Sequence, residues 1–505
     1  MIVLLAALAL ALLELLGAAT PSQQPPSRFG SVVSPELLRF FDSRYRADKL
    51  QPRDGGLFLS DGVGESEELF AVGRDRIITA GTIQALSDVL DAGVDVDHEP
   101  RPPRALWLPL WLSYERYRGG SPFDAYLSSL PTDFHLPFLW APTERQRLGS
   151  SWLGAAVEED VEMVEKTYSA HLQRLCKAAP EHWPREACTR QTWAWAWAVV
   201  WSRSLGIPSA TPGGGNDNGL IPLLDLANHD SGSRQGWRMQ EQLAHGTAPT
   251  GRWDHSRGEF VVRAGSALPS GAEVTLNYND WGSAELLQHY GFVYTGRSRD
   301  DTVDIEPLVL LRPGATEAER CQLAWLLHSS EWGGFTACSS VVVESLAPLT
   351  ISDPSAPQSS VLQRLKITLA AQTTHPLADG RAAHDAWLQQ LRRGSSVQEL
   401  AQQLHGEMSA STEYTKAVLA EVAAMAARWE ARAEALVPPD DSCEPAGGAT
   451  ADGSIADETI ADGPSPPAVD DVGAYRAWCA AQVRRVEREI VRELAALAAA
   501  EASSL

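Results

Sequence analysis

An α+β fold, with a helical block set among its strands, is what the sequence predicts, and three observations carry it. Short apolar runs at Gly56–Leu59, Glu68–Val72 and Glu259–Arg263 have strand length and sit beside turn residues. Between the second and third of them lies a long stretch with helical spacing of bulky residues. Beyond about residue 300 the chain turns Ala-rich and helical almost to its end. Strands and helices are segregated rather than alternating, which argues against a βαβ layout. Neither a G-x-G-x-x-G, a P-loop nor an H-E-x-x-H motif is present.

The elements follow in order. Ile2–Leu16 is apolar except for Glu14, and the small residues Gly17-Ala18-Ala19-Thr20 follow it before Pro21. That reads as the core of a signal peptide, because a membrane span needs about 20 apolar residues. We therefore expect a signal-like segment over 1–20. Gly56–Leu59 and Glu68–Val72 predict two strands joined by the turn D-G-V-G-E-S. Ile77–Leu90 predicts a helix, Asp91–Arg104 a loop, Leu106–Tyr117 a second helix and Glu158–Lys177 an amphipathic third. Arg190–Leu205 carries Trp193, Trp195, Trp197 and Trp201, the pattern of a buried helix. Leu220–Leu226 and Glu273–Tyr278 predict further short strands.

Composition narrows the function. The chain has 505 residues, a prior of about three domains, and 44% of them are hydrophobic, so a wholly disordered chain is excluded. The net charge of −23 argues against nucleic acid, whose binding needs Lys and Arg to displace counterions, and against anionic membranes. Nine of the acids lie between Val437 and Val472, where there is no Lys or Arg. That Pro-, Gly- and Asp-rich stretch predicts a disordered acidic loop over 437–472, inside a helical region at 299–505. The six cysteines contain no C-x-x-C pair and are too sparse for a disulfide scaffold. They favour a reduced compartment and leave neither a zinc site nor a redox motif in prospect.

Three segments carry the chemistry. Leu220–His229 is an apolar run containing Asp225 and ending in Asn228-His229. Gly271-Ala272-Glu273 leads to Tyr278. Ser283–Leu287 leads to Tyr290-Gly291-Phe292. Each alone is unremarkable, since a Tyr in such a place is ordinarily a core aromatic with a bonded hydroxyl.

Together, in this order and spacing, they resemble the SET-domain protein methyltransferases, on the branch of the Rubisco large-subunit lysine methyltransferase, which also includes an actin-histidine methyltransferase. That family carries D-x-x-N-H, then G-x-E-x-x-x-x-Y, then E-L-L-x-x-Y-G-F. Asp54-Gly55-Gly56-Leu57 stands where its G-x-G-L does, and Leu130-Pro131 matches a dipeptide of its helical insertion. The resemblance covers about 28–298, with the insertion at about 105–205. It implies a SET-domain β fold followed by an all-α substrate-binding-like domain. It also implies transfer of a methyl group from S-adenosylmethionine to a lysine of a non-histone protein, by a monomer without metal. On the same ground Tyr278 and Tyr290 are the catalytic candidates. Gly55, Arg203, Asn228, His229 and Tyr278 are the cofactor-binding candidates, and Asp225 and Tyr290 would face the substrate.

Such a reaction needs a neutral amine. A lysine pKa of about 10.4 makes that form about 4.6 kcal/mol uphill at neutral pH. A poorly hydrated channel and the donor's sulfonium charge both lower that cost. The pattern departs from the family at Arg53, where an acidic residue is usual, and at Asp54, which replaces a glycine. A protein-histidine methyltransferase and a catalytically weak binding module are the alternatives. The histidine-methylating relative has a Trp before the strand Asp and a polar residue two after the Arg. Here those positions are Leu224 and Leu205, which favours lysine. A signal-like start and this cofactor pull in opposite directions. A plastid or membrane-tethered location would reconcile them, and a cytoplasmic one holds otherwise.

Overall fold

The computed structural model describes residues 34–42, 47–53, 55–80, 83, 102–149, 152–207, 217–229, 252–254, 256–279, 281–298, 300–305, 310, 349–352, 412–435 and 471–505. The signal-like segment at 1–20 and most of the acidic stretch lie outside them. The chain forms two compact units. One comprises Met1–Phe134, Glu162–Asp280 and Tyr294–Gly296, and the other His135–Val161, Trp281–Val293 and Arg297–Leu505.

In the first unit β1 (Leu50–Arg53) and β2 (Gly56–Leu59) form an antiparallel hairpin in the register Arg53↔Gly56. Gly55, between the two strands, has φ +78°, the left-handed conformation such tight turns require. A three-stranded antiparallel sheet joins β3 (Glu68–Gly73), β8 (Glu259–Arg263) and β7 (Arg252–Asp254) in the order β3-β8-β7. A second sheet, ordered β4-β6-β5, contains Ile78–Thr79, Asp217–Leu220 and Leu205–Ile207. The predicted helix at Ile77–Leu90 therefore begins instead with β4. The β-branched run Ile77-Ile78-Thr79 suits a pleat better than a helix, and residues 84–90 lie outside the described ones.

The helical insertion is as expected, with adjusted ends. Helices cover Trp107–Glu115 and Asp124–Ser129. The predicted Glu158–Lys177 helix starts earlier, at Trp152, and passes through a wider π turn at Tyr168–Leu172 before Gln173–Ala178. The tryptophan helix spans Arg190–Arg203, and the Thr189 hydroxyl caps it by accepting from the Thr192 N–H at 3.0 Å. Trp193, Trp195 and Trp197 are buried, and two of their indoles are anchored. Trp193 Nε1 donates to the Val164 carbonyl at 3.1 Å and Trp195 Nε1 to that of Pro131 at 2.8 Å. Twelve residues apart, Cys176 and Cys188 form a disulfide just ahead of this helix, a pairing that the sparse cysteine count did not anticipate.

In the second unit helices Thr412–Ala435 and Val472–Ser504 pack through Leu419, Val422, Met425 and Trp429 against Val486, Ile490 and Leu494. Asp471, at the edge of the predicted loop, is ordered as the second helix's cap and accepts from Ala474 N at 3.1 Å. A helix at Ser283–Tyr290 ends on Gly291 at φ +81°. A Cβ there would lie 2.9 Å from the His135 backbone, so glycine is needed twice over. The region after 299 is not wholly helical. β9 (Thr302–Ile305) pairs antiparallel with β10 (Leu349–Ser352), two short runs rich in β-branched residues within a mostly helical composition.

Candidate active site

The predicted strand Leu220–Leu226 stops at Leu220. Pro222 has no N–H to continue a ladder, and Leu223 takes φ 83° and ψ −54°, the rare γ-turn with positive φ. Leu224–Leu226 then forms a 3₁₀ turn. Strain of this kind persists only where surrounding packing enforces it, and Leu223 is buried. At this turn the Asp225 side chain is buried, and Asn228 and the buried His229 follow it.

Asp225 has no exposed side-chain surface. Its Oδ2 accepts from the Tyr126 hydroxyl at 2.7 Å and lies 3.7 Å from Arg203 Nη1. The same Nη1 donates to the Asp225 backbone carbonyl at 3.0 Å. Burial raises the Asp225 pKa, and the Arg203 charge and the tyrosine bond only partly oppose it. Arg203, last in the tryptophan helix, is thus anchored to the bend by two groups of one residue.

The predicted strand Glu273–Tyr278 is likewise not a strand. Its residues contact two partners in succession, so neither pairing is long enough for a ladder. Glu273 lies opposite Phe58, with Val274 N donating to Leu57 O at 2.7 Å. Leu276 bridges to His229 in parallel, and its N–H donates to Asn228 O at 2.8 Å. The segment thereby stitches the β1–β2 hairpin to the Asn-His pair.

That stitching assembles a cluster. The Asn228 Nδ2 donates to Glu273 Oε1 at 2.7 Å. A Cβ on Gly56 would lie 2.7 Å from that Oε1, 3.0 Å from Nδ2 and 3.2 Å from the Phe58 ring, so the pair occupies room that only glycine leaves. His229 is buried, and its Nδ1 accepts from the Tyr278 N–H at 3.1 Å. An acceptor at Nδ1 requires the proton on Nε2, which then donates to the Tyr294 hydroxyl at 2.8 Å. The imidazole is therefore neutral and serves as a brace. The Tyr278 hydroxyl donates to Ala227 O at 2.8 Å. Burial pushes its pKa well above the usual phenol value, so it stays protonated across the physiological range.

Of the residues singled out in the sequence, Gly55, Arg203, Asp225, Asn228, His229 and Tyr278 fall in the first unit, and all but Gly55 are linked there by the contacts above. Tyr290 belongs to the second unit, where its ring lies 5.9 Å from Trp281 and 6.2 Å from Phe292. Gly56, Glu273 and Tyr294 escaped sequence reasoning. Glu273 was visible as the acid of the G-x-E motif, but its partner is 45 residues away. Arg53 donates to Gly271 O at 3.2 Å and lies 4.3 Å over the Phe58 ring, so it ties down the hairpin. Among the described residues no cluster suited to a metal ion occurs.

No protein-family profile matches the chain. Among curated proteins it is similar to ribosomal lysine N-methyltransferase 1 of Saccharomyces cerevisiae, 26% identical over 35% of this chain and 33% of that one. It is similar also to SET domain-containing protein 8 of Schizosaccharomyces pombe (24%; 48% and 52%) and to the actin-histidine N-methyltransferase of Danio rerio (23%; 51% and 39%). The matches span between a third and about half of these relatives' length. Among solved structures, Rubisco LSMT bound to sinefungin and monomethyllysine aligns with TM-score 0.57 at 17% identity, covering 93% of this chain and 92% of that one. Rubisco LSMT bound to AdoMet aligns with TM-score 0.56 at 18%, covering 93% of each. The fold is thus the α+β SET-domain fold of Rubisco LSMT, and the chain resembles the SET-domain protein methyltransferases of that branch.

Proposed function

We propose that this protein is an S-adenosylmethionine-dependent protein methyltransferase, and that its acceptor is a lysine of a non-histone protein. The observation that carries the reading is the cluster in which His229 braces Tyr278 N, Ala227 O holds the Tyr278 hydroxyl, and the bare Gly56 admits the Asn228–Glu273 pair. The cofactor fits that donor set. Its methionine part offers one ammonium and one carboxylate, and the cluster offers an amide and a guanidinium.

When bound, the cofactor supplies an electrophilic methyl group on sulfur; the residues supply placement. Arg203, a fork of donors only, would hold the carboxylate. Asp225, buried against Arg203, anchors that fork, and on the resemblance it also stands on the substrate side. Gly55 would offer backbone at the turn, and the His229 backbone would line the adenine side. Tyr278 carries an oxygen whose proton is committed to Ala227 O, so towards the methyl C–H groups and the incoming amine it would act as an acceptor. A phenol kept protonated by burial is no base, so Tyr278 orients and does not deprotonate. Tyr290 is assigned to the lysine channel on the resemblance alone.

Lysine is favoured over histidine by the apolar Leu224 and Leu205, both buried. Calorimetric titration with S-adenosylmethionine tests the cofactor, and no heat of binding would sink the enzyme reading. Tritium transfer into a lysate, followed by mass spectrometry of the labelled residue, tests the acceptor. Label on histidine and not on lysine would overturn the lysine assignment while leaving the methyltransferase in place.

A further inference from the structure

We propose that Glu273 is a positioning residue that locks the Asn228 carboxamide in one of its two orientations and so decides which end of the bound amino-acid moiety that amide receives. The proposal rests on the cofactor reading above and deepens it.

A carboxamide is nearly symmetric in shape, and its two ends differ only in chemistry, with oxygen accepting and nitrogen donating. A carboxylate accepts and does not donate. With Glu273 Oε1 2.7 Å from the Asn228 side chain, the atom facing it must be the nitrogen. The reversed amide would set two acceptors against each other at that distance, with no proton between them. Glu273 therefore acts as an orientation lock, and Asn228 Oδ1 is left as the working end. Among the described residues nothing donates to that oxygen.

Three further observations make the lock specific. Glu273 is brought to Asn228 by the hairpin, because it sits opposite Phe58 of β2 while Val274 N is tied to Leu57 O. The room for the carboxylate comes from Gly56, where a single Cβ would stand 2.7 Å from Oε1 and 3.0 Å from Nδ2. The Asn228 backbone is also held, since its carbonyl accepts from Leu276 N. With the main chain and one end of the amide fixed, Oδ1 has one direction left.

An acceptor-only oxygen takes a donor. On an S-adenosyl amino acid the donor is the α-ammonium, while the carboxylate needs donors such as those of Arg203. Asn228 and Arg203 thus divide the two ends of the amino acid between them, and Glu273 enforces the division without touching the ligand.

The test uses the full chain and two probes, S-adenosylhomocysteine and its analogue lacking the α-amino group, with dissociation constants measured by calorimetry. In the native protein the deaminated compound should bind about tenfold or more weakly, as loss of a charge-assisted hydrogen bond implies. In Glu273→Ala the amide is free to turn, and that ratio should fall at least threefold. In the isosteric Glu273→Gln both amides can turn together, so the ratio should fall there as well, with an unchanged melting temperature. A purely structural role would weaken both probes equally and leave the ratio alone. Ratios within 1.5-fold of native in folded variants overturn the proposal, and Glu273→Gln decides alone if Glu273→Ala does not fold. A native chain that binds neither probe instead sinks the cofactor reading and this proposal with it.

Discussion

At the scale of single residues the site works through held atoms. Tyr278 gives its proton to Ala227 O, and its backbone N–H to a histidine that is itself tied to Tyr294. Tyr278→Phe keeps the ring and the backbone brace. It should lower the methyl-transfer turnover by about 10- to 100-fold, or about 1.4–2.7 kcal/mol of barrier. Cofactor affinity should stay within about threefold; single-turnover kinetics beside calorimetry separate the two. Asp225→Ala removes the buried partner of both Tyr126 and Arg203. It should cost about 3 kcal/mol of stability in denaturant melts, against about 1 kcal/mol for Tyr126→Phe, which deletes one hydrogen bond. A difference smaller than the error of the melts would mean that Arg203 is anchored by something else. The motif residues Asn228, His229 and Tyr278 were legible because each sits in a short local string. Gly56 and Glu273 were not, because their importance lies in a contact between positions more than two hundred apart in the chain.

At the scale of elements, the chain starts some helices with an adjoining residue, as at Thr189 and Asp471, and one with a residue well outside it. The Ser283–Tyr290 helix is capped from outside itself. Asp301 accepts from Ser283 N through one oxygen and from Ser298 N through the other, each at 2.6 Å. Burial outweighs those bonds and pushes the Asp301 pKa up to about 6 from 3.8. The folded state therefore holds this proton more tightly than the unfolded chain does. Its contribution is full below about pH 4 and is lost as pH rises toward 6. Native protein should lose up to about 3 kcal/mol across that window relative to Asp301→Asn, whose melts should lack that slope. The Cys176–Cys188 bond closes a short loop ahead of the tryptophan helix. Its reduction should destabilise the first unit by about 3 kcal/mol, read as a lower melting temperature in dithiothreitol. Helices of the insertion were readable from bulky-residue spacing alone. The segments 220–226 and 273–278 misled for a physical reason: apolar runs of strand composition were bent by Pro222 or shared between two partners. Periodicity reports burial, and it does not report whether a neighbouring ladder exists.

For the whole molecule, the net charge of −23 is unevenly distributed, and part of the acidic run has a structural duty. Asp471, the last of its nine acids, caps the Val472–Ser504 helix. Asp471→Ala should cost about 1 kcal/mol. Replacing residues 441–468 with a short Gly-Ser linker should change stability by less than about 1 kcal/mol, since loop-closure cost varies only logarithmically with length. Cofactor affinity should not move in that variant; a large loss would show that the acidic run takes part in the site. The fold class was legible from segregated strands and helices, whereas the interleaving of chain segments between the two units was not, because it is set by long-range contacts. Gly56 has a practical consequence at this scale. The atoms that an added methyl would meet most closely are the tips of two side chains, which can swing aside without moving backbone. Gly56→Ala is therefore expected to be an allele that leaves a folded chain but displaces the Asn228–Glu273 pair, and with it the site. In a living cell such an allele would separate what the protein does by reacting from what it does merely by being there.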